Sequence, residues 1–351
     1  MPFDIDGDAW SWVVTGVVTA IAAIIRLVAL GRPNHIIFDE TYYAPNAYAL
    51  TRYGVEWSVP EGGATPVDGA PVLGDTAGYV VHPPLGKWLI ALGELALGYN
   101  PVGWRISAAV VGIASVLLVT RIARRLFGST LLGAMAGLLV ALDGMHVVMS
   151  RTALLDIFLM FFILAAFGAL LRDRDDRRRR WLAALEDGVD PERAQRTRLA
   201  TLPWWRLAAA VLLGCALGVK WSAIWFVPVF RLLVLVWEAG ARRSAGVARP
   251  WRGTLWELPG LVGAGFVILG TYVATWTGWF VTDHGYFRHL RADMGQSEPP
   301  VIGALLNLAH YHQEALKFHH GLDSYHPYQS WPWQWLLLAG PTTFHWSGEG
   351  P

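Results

Sequence analysis

Seven apolar stretches, near residues 10–30, 104–121, 130–149, 153–171, 205–220, 222–238 and 258–280, dominate the chain. About 20 mostly apolar residues let an α-helix cross a bilayer. In hydrocarbon the backbone must satisfy its own polar groups, so stretches of this kind become helices. An eighth begins near Trp333 and stops with the chain, which leads us to expect a C-terminally truncated sequence. The composition agrees: of 351 residues, 54% are hydrophobic and only 16% charged. Soluble domains carry about 25% charged residues. Nineteen Trp and few charges exclude intrinsic disorder. The lone Cys215 excludes a disulfide scaffold. A formal charge of +1 argues against nucleic acid as a partner. The expected fold class is all-α, a polytopic transmembrane helical bundle, with residues 1–351 as a single domain.

Arginine sets the expected orientation. Arg121, Arg124 and Arg125 follow the second stretch; Arg172, Arg174 and Arg177 to Arg180 follow the fourth; Arg242, Arg243, Arg249 and Arg252 follow the sixth. These loops should face the cytoplasm. The long loops 31–103 and 281–332 should then face outward, the first of them carrying interfacial helices. Arg26 and Arg32, at the outer end of the first stretch, conflict with the pattern. No basic n-region or small-residue cleavage site marks a signal peptide, so the first stretch is expected to remain as an anchor. Membrane lipids are implied partners. The chain has only three lysines, Lys87, Lys220 and Lys317, all at expected outer ends or loops. A compact ammonium is a good point-charge ligand for phosphate.

Five polar constellations interrupt the apolar pattern. Phe38-Asp39-Glu40-Thr41-Tyr42-Tyr43 follows the first stretch and starts a short amphipathic helix. Asp39 reads either as an N-cap, with Glu40 favouring the helix's positive end, or as a general base in a partly dry cleft. Val81-His82-Pro83-Pro84-Leu85-Gly86-Lys87 leads into a helix running to about Gly98. Lys87 near its start reads as an anion site or as a snorkelling side chain. Arg105 enters the next span from outside and meets either an anion or lipid headgroups. Arg151 through Asp156 puts a carboxylate inside the fourth span, either as a functional group or paired with Arg151 or Arg105. Asp143 and His146 could join that cluster. Last, Lys317-Phe318-His319-His320, then His326-Pro327-Tyr328 and Trp331-Pro332-Trp333, form a loop over an interfacial site or an aromatic belt. The late histidines match no metal-binding spacing, and no P-loop, G-x-G-x-x-G, H-E-x-x-H or paired C-x-x-C occurs.

Taken together and in this order, these motifs resemble the protein O-mannosyltransferase family of GT-C glycosyltransferases, in its bacterial form. The residues that carry the resemblance are Phe38-Asp39-Glu40, His82 to Lys87, Arg105, Arg151 to Asp156, His326-Pro327-Tyr328 and Trp331-Pro332-Trp333. The resemblance implies mannose transfer, with inversion, from polyprenyl-phosphate-mannose to Ser or Thr hydroxyls of exported proteins. The site would face the extracytoplasmic side of a bacterial plasma membrane, with the protein export machinery as a further partner. It implies Asp39 and Glu40 as catalytic residues and Arg105, Lys87 and Lys220 on the donor phosphate. Tyr43, His82, Asp156, Arg151, His326 and Tyr328 would hold sugar or acceptor. No cofactor is implied, since the lipid-linked donor is a substrate; no metal is assigned, and the metal requirement stays open. Two other readings remain: a related polyprenyl-phosphate-sugar transferase acting on a lipid or glycan, and a transporter. A transporter usually shows an internal repeat, and none is visible.

Overall fold

The computed structural model describes residues 8–197, 203–322, 329–335 and the single positions 337, 339 and 344. These residues are helical apart from loops, turns and two isolated β-bridges. His326 and Tyr328 lie outside the described residues. The helices in order are α1 (Ala9–Leu27), α2 (Glu40–Tyr53), α3 (Leu85–Leu97), α4 (Pro101–Phe127), α5 (Thr130–Leu142), α6 (Gly144–Ser150), α7 (Leu155–Glu186) and α8 (Pro191–Thr197). They continue with α9 (Trp204–Val219), α10 (Phe226–Ser244), α11 (Pro250–Gly253), α12 (Leu258–Thr275), α13 (Thr277–Val281), α14 (Leu290–Asp293), α15 (Ile302–Gly321) and α16 (Pro332–Trp335).

Among the described residues, five helices are long and apolar enough to cross a membrane: Ala9–Leu27, Pro101–Phe127, Leu155–Glu186, Trp221–Ser244 and Pro250–Thr275. These make the chain a multi-pass membrane protein. Two expected spans differ in form. The stretch near 130–149 is α5 and α6, bent by 63°. Asp143 causes the break: its extended backbone ends α5, and its Oδ1 accepts from His146 N at 2.7 Å to cap α6. The stretch near 205–220 is α9, of only 16 residues, or about 24 Å.

The chain divides into two compact units. The first comprises Met1–Val28, Pro83–Gly86 and Ile106–Thr277. Here α9 packs between α7 and α12. Gly214 and Gly218, four residues apart, leave room for Thr271 and Thr275 of α12; a Cβ on Gly218 would stand 2.6 Å from Thr275 Cγ2. Small residues at this spacing let helix backbones approach closely. Gly86 has a similar role: a Cβ there would lie 2.6 Å from Leu155 Cδ2.

Arginines close the helix ends of this unit. Arg26 is fully buried and donates to the carbonyls of Ala141 (3.1 Å) and Val140 (3.3 Å) at the end of α5, and meets His146 Nδ1 at 2.7 Å. Arg151 donates to the carbonyls of Ile25, Arg26 and Val28 at 2.8–3.0 Å, closing α1. A cation at a helix C-terminus satisfies orphan carbonyls and opposes the dipole. This removes half of the conflict in the arginine pattern: Arg26 is an internal cap and carries no topological information, whereas Arg32 stays exposed. Asp143 and His146 therefore group with Arg26 rather than with Asp156.

At the arginine-rich end of the same unit lies a buried network absent from the sequence expectations. Glu257 Oε1 accepts from Arg177 (2.5 Å) and Arg242 (2.6 Å), and its Oε2 accepts from Arg206 (2.8 Å). Glu238 accepts from Arg177 (2.9 Å) and Arg242 (2.7 Å), and Asp173 accepts from Arg206 (2.8 Å). Three guanidiniums and three carboxylates thus neutralise one another among α7, α9, α10 and the turn before α12. Removing one partner from a buried pair leaves an uncompensated charge, at about 3–5 kcal/mol. Glu257→Ala takes one carboxylate from all three guanidiniums and leaves three cations facing two anions, so thermal unfolding in detergent should show a loss within that range. An unchanged midpoint would mean that the network contributes nothing net.

The second unit comprises Ala29–His82, Lys87–Arg105 and Gly278–Pro351. The buried residues of α2 include Glu40, Tyr43, Ala44, Ala47 and Leu50, one helical face. Those of α3 include Lys87, Ile90, Ala91 and Glu94, again one face. Tyr311 of α15 fixes the extended segment before α3 by donating to Val80 O (2.7 Å) and accepting from Val80 N (3.0 Å).

Candidate active site

The acidic pair sits where the second unit turns from loop into α2. Asp39 occupies the N-cap position, yet its side chain makes no capping hydrogen bond. Glu40, the next residue, turns inward and is completely buried. Its carboxylate accepts from Ile37 N at 3.1 Å and pairs bidentately with Arg105, Nε to Oε1 at 2.7 Å and Nη2 to Oε2 at 2.8 Å. Adjacent carboxylates have therefore separated: one is locked into the fold, and the other stands half-buried at the helix entrance.

Arg105 does more than pair with Glu40. Its Nη1 donates to Pro33 O (2.8 Å) and Leu30 O (3.3 Å), and its Nη2 also donates to His35 O (2.9 Å). All five guanidinium hydrogens are accounted for, and the side chain is fully buried. Arg105, expected on the donor phosphate, thus spends its donors on the fold around it. The structure also places Glu40, expected as a catalytic residue, on that guanidinium. Between these anchors Phe38 takes a left-handed φ of +48°. That conformation is unfavourable for a bulky side chain and persists only where the surroundings over-determine it.

Lys87 also has local partners. It is buried, donates to His82 O at 2.9 Å and forms an ion pair with Glu56. Burial pulls its ammonium below the ordinary lysine range, and Glu56 opposes that shift. Nothing in the sequence around Glu56 marked it as this partner. Two expected sugar or acceptor residues do come together: the rings of Tyr43 and His82 lie 6.4 Å apart, and His82 stacks on His319 at 5.5 Å. Tyr43 is one helical turn beyond Asp39, so both share a face of α2.

Behind Arg105 the unit is aromatic and dry. Tyr99 packs on Trp104 at 5.1 Å and on Tyr48 at 5.6 Å, and donates its hydroxyl to Ala64 O at 2.7 Å. Glu94 is 5% exposed and neither carboxylate oxygen has a hydrogen-bond partner among the described residues. Burial pushes its carboxyl up to about 9.

The remaining expected residues lie in the first unit. Asp156 accepts from Lys220 Nζ with both oxygens, at 2.8 and 2.9 Å, rather than pairing with Arg151 or Arg105. Lys220 keeps 23% of its side chain exposed and Asp156 38%. Arg151, expected near sugar or acceptor, donates to the α1 carbonyls described above because those carbonyls lack helical partners. Among the described residues no group of three His, Cys, Asp or Glu is placed to hold a metal ion.

Residues 16–245 match the family described as dolichyl-phosphate-mannose-protein mannosyltransferase. A polyprenol-phosphate-mannose–protein mannosyltransferase of Mycolicibacterium smegmatis is 42% identical over 350 residues, covering 96% of this chain and 64% of the relative. The chain belongs to the mannosyltransferase family. It therefore spans about two-thirds of the length of that relative. Two solved structures share the fold, each with a TM-score of 0.54. One is the S. cerevisiae protein O-mannosyltransferase Pmt1–Pmt2 complex bound to the sugar donor, 20% identical, covering 77% of this chain and 34% of that one. The other is ArnT from Cupriavidus metallidurans in the apo state, 18% identical, covering 95% and 48%. The architecture is the GT-C type anticipated from the motifs.

Two measurements test this geometry. Glu40→Ala should cost about 3–5 kcal/mol by leaving Arg105 buried and unpaired, and Arg105→Lys should lose most of the same anchoring, because an ammonium cannot make the fork. Thermal midpoints and protease cleavage within residues 30–39 read both; unaltered cleavage would refute the anchoring role. The second concerns Glu94. Its carboxyl stays protonated in the fold up to about 9, whereas in the unfolded chain it ionises near 4.5. Between those values the unfolded state binds fewer protons, so stability falls as pH rises, by up to about 1.4 kcal/mol per unit. Below that window the contribution is fully present. Glu94→Gln should flatten unfolding midpoints between pH 5 and 9.

Proposed function

We propose that this chain is the membrane-embedded catalytic part of an enzyme that transfers mannose from polyprenyl-phosphate-mannose to Ser or Thr hydroxyls of exported proteins. The transfer takes place at the extracytoplasmic face of a bacterial plasma membrane, with no cofactor and no metal assigned. Family membership supports the reaction class. The observation that carries the site is the divided acidic pair: Glu40 is bound to Arg105, and the Asp39 carboxylate is kept out of helix capping.

The chemistry follows from that division. Asp39 accepts the proton of the acceptor hydroxyl as its oxygen attacks the anomeric carbon. The bond between that carbon and the phosphate oxygen breaks on the opposite side of the sugar. Its electron pair leaves with the polyprenyl phosphate, and the configuration inverts. The leaving group already carries negative charge, so it needs a nearby cation rather than an acid. Of the three cations considered for the phosphate, Arg105 and Lys87 are buried and Lys220 keeps part of its side chain exposed. Of the expected phosphate ligands, the first unit offers Lys220, with Asp156 holding its ammonium in place. Arg105 and Lys87 act as positioning residues for the loop and for α3. Tyr43 and His82 flank the sugar or the acceptor.

General-base catalysis contributes about 10²- to 10⁴-fold. Asp39→Asn in the full-length protein should lower transfer from radiolabelled polyprenyl-phosphate-mannose to a Ser/Thr peptide by that factor, with expression and unfolding midpoint unchanged. Retention of wild-type turnover would remove Asp39 from the reaction. In the same assay Lys220→Ala should raise KM for the donor and leave KM for the peptide unchanged; an equal rise in both would argue against phosphate contact.

A further inference from the structure

Arg231 lies in the middle of an apolar helix, and the transfer chemistry makes no use of it. The helix Trp221–Ser244 is long and apolar enough to cross a membrane. Arg231 is eleven residues from Lys220 and eleven from Arg242, about 16 Å from each. In a hydrocarbon layer about 30 Å thick that is mid-depth. The cations toward both ends are paired: Lys220 with Asp156, and Arg242 with Glu238 and Glu257. Arg231 is different. Its Nε has no hydrogen-bond partner among the described residues, and none of them forms an ion pair or ring contact with its guanidinium.

The position is nevertheless built. The guanidinium lies against α12 at Gly265, where a Cβ would stand 2.5 Å from Nη2. Glycine thus leaves a notch that any side chain would fill. Arg231 also lines a cavity of about 30 Å³ among α9, α10 and α12. Apart from Arg231 and Arg206 the walls are apolar, with Leu213, Phe230 and Ala264 among them. Arg206 is held by Asp173 and Glu257. The cavity has room for about one or two water molecules, and no carboxylate lines it. An anion must therefore arrive from the lipid-facing side of the cleft. There Arg231 is partly exposed, and Leu232 and Phe266, the residues next to Arg231 and Gly265, are exposed and apolar.

Arginine keeps its charge, and a charge at this depth is costly until it meets an anion. Depth decides among the anions. A lipid phosphate rests at the headgroup layer, about 15 Å away. A second copy of the chain has no carboxylate at mid-depth among the described residues of its five apolar helices. Asp156 stands toward one end, and Glu238, Glu257 and the carboxylates from Asp173 to Glu186 stand toward the other. We infer that the cleft between α10 and α12 docks a transmembrane helix of a partner membrane protein that carries Asp or Glu at mid-bilayer depth, its carboxylate paired with Arg231 in the Gly265 notch. The planar guanidinium pairs with a carboxylate bidentately, which also fixes the register of the incoming helix. The surface rests on the membrane class of the chain and is independent of the proposed transfer.

The test reconstitutes the chain in phosphatidylcholine vesicles and titrates it with synthetic helices of about 22 Leu and Ala residues that carry a terminal dansyl group. Energy transfer from the tryptophans of the chain reads binding. The peptides differ at one position: Asp at the centre, Leu at the centre, or Asp displaced by two helical turns, about 10 Å nearer the surface. The central-Asp peptide should reach half-saturation at about a tenfold lower peptide-to-lipid ratio than the other two, the order expected for one polar contact between helices in a bilayer. Arg231→Leu should abolish that preference, and Arg231→Lys should keep part of it. Without peptide, the unfolding midpoint of Arg231→Leu should stay at or above the wild-type value, because no partner inside the unit is lost. Equal binding of the three peptides, an undiminished preference in Arg231→Leu, or a lowered midpoint in that variant would each overturn the assignment. So would competition by polyprenyl phosphate, or self-association of the chain that depends on Arg231.

Discussion

A buried guanidinium fixes the second unit. Arg105 gives two hydrogens to Glu40 and three to the carbonyls of Leu30, Pro33 and His35. A charge out of water is costly unless its partner is close and its remaining donors are satisfied. Here both conditions hold, so one side chain specifies the path of the loop from residue 30 to the start of α2. A lysine would supply three donors from one point and could not span a carboxylate and three carbonyls. The left-handed backbone at Phe38 is the local consequence: the loop is tied on both sides of it, at residues 30–37 and at Glu40, and the residue between must turn.

The same principle organises the first unit and explains why the chain uses arginine so heavily and lysine so little. Wherever several acceptors converge in a dry place, an arginine meets them: Arg26 on the end of α5, Arg151 on the end of α1, and Arg177, Arg206 and Arg242 among three carboxylates. Each lysine instead meets one carboxylate as a point charge: Lys87 with Glu56, Lys220 with Asp156 and Lys317 with Glu314. The three lysines read from the sequence as a possible phosphate-binding set, and in the fold two are buried or partly buried ion pairs and the third, Lys317, is an exposed side chain on α15. Lys220 is different from Lys87 chiefly in exposure, and exposure is what a phosphate contact requires.

Hydropathy made the membrane class and the seven apolar stretches legible, because the length and apolar content of a span are local properties. Helix α3 was legible too, since Pro83-Pro84 before it and Gly98 after it mark its ends in the chain. The partners were not. Spacing along a helix tells how deep a charged residue lies, and so Arg105 read as meeting an anion or headgroups and Asp156 as a functional group or half of an ion pair. It does not tell which group faces them from 65 residues away, as Glu40 faces Arg105, or 64 away, as Lys220 faces Asp156. The bend between α5 and α6 was missed for a related reason. Asp143 was weighed as part of a polar cluster, when its extended backbone ends one helix and its carboxylate caps the next.

Two neighbouring carboxylates can do different work only if the backbone sends them in different directions. Here Glu40, the first residue of α2, binds Arg105, while Asp39 stays at the N-cap position without capping the helix. A base that must accept a proton gains from this arrangement. In the proposed reaction the base would then sit beside its neighbour's anchor, and covalent geometry would place the two carboxylates before any ligand arrives. Exchanging the roles would place the proton acceptor against a guanidinium, which favours its charged, weakly basic form. The order Asp-Glu, in which the first carboxylate belongs to the loop and the second to the helix, is what leaves Glu40 to anchor Arg105 and makes residue 39 the candidate base of the proposed reaction.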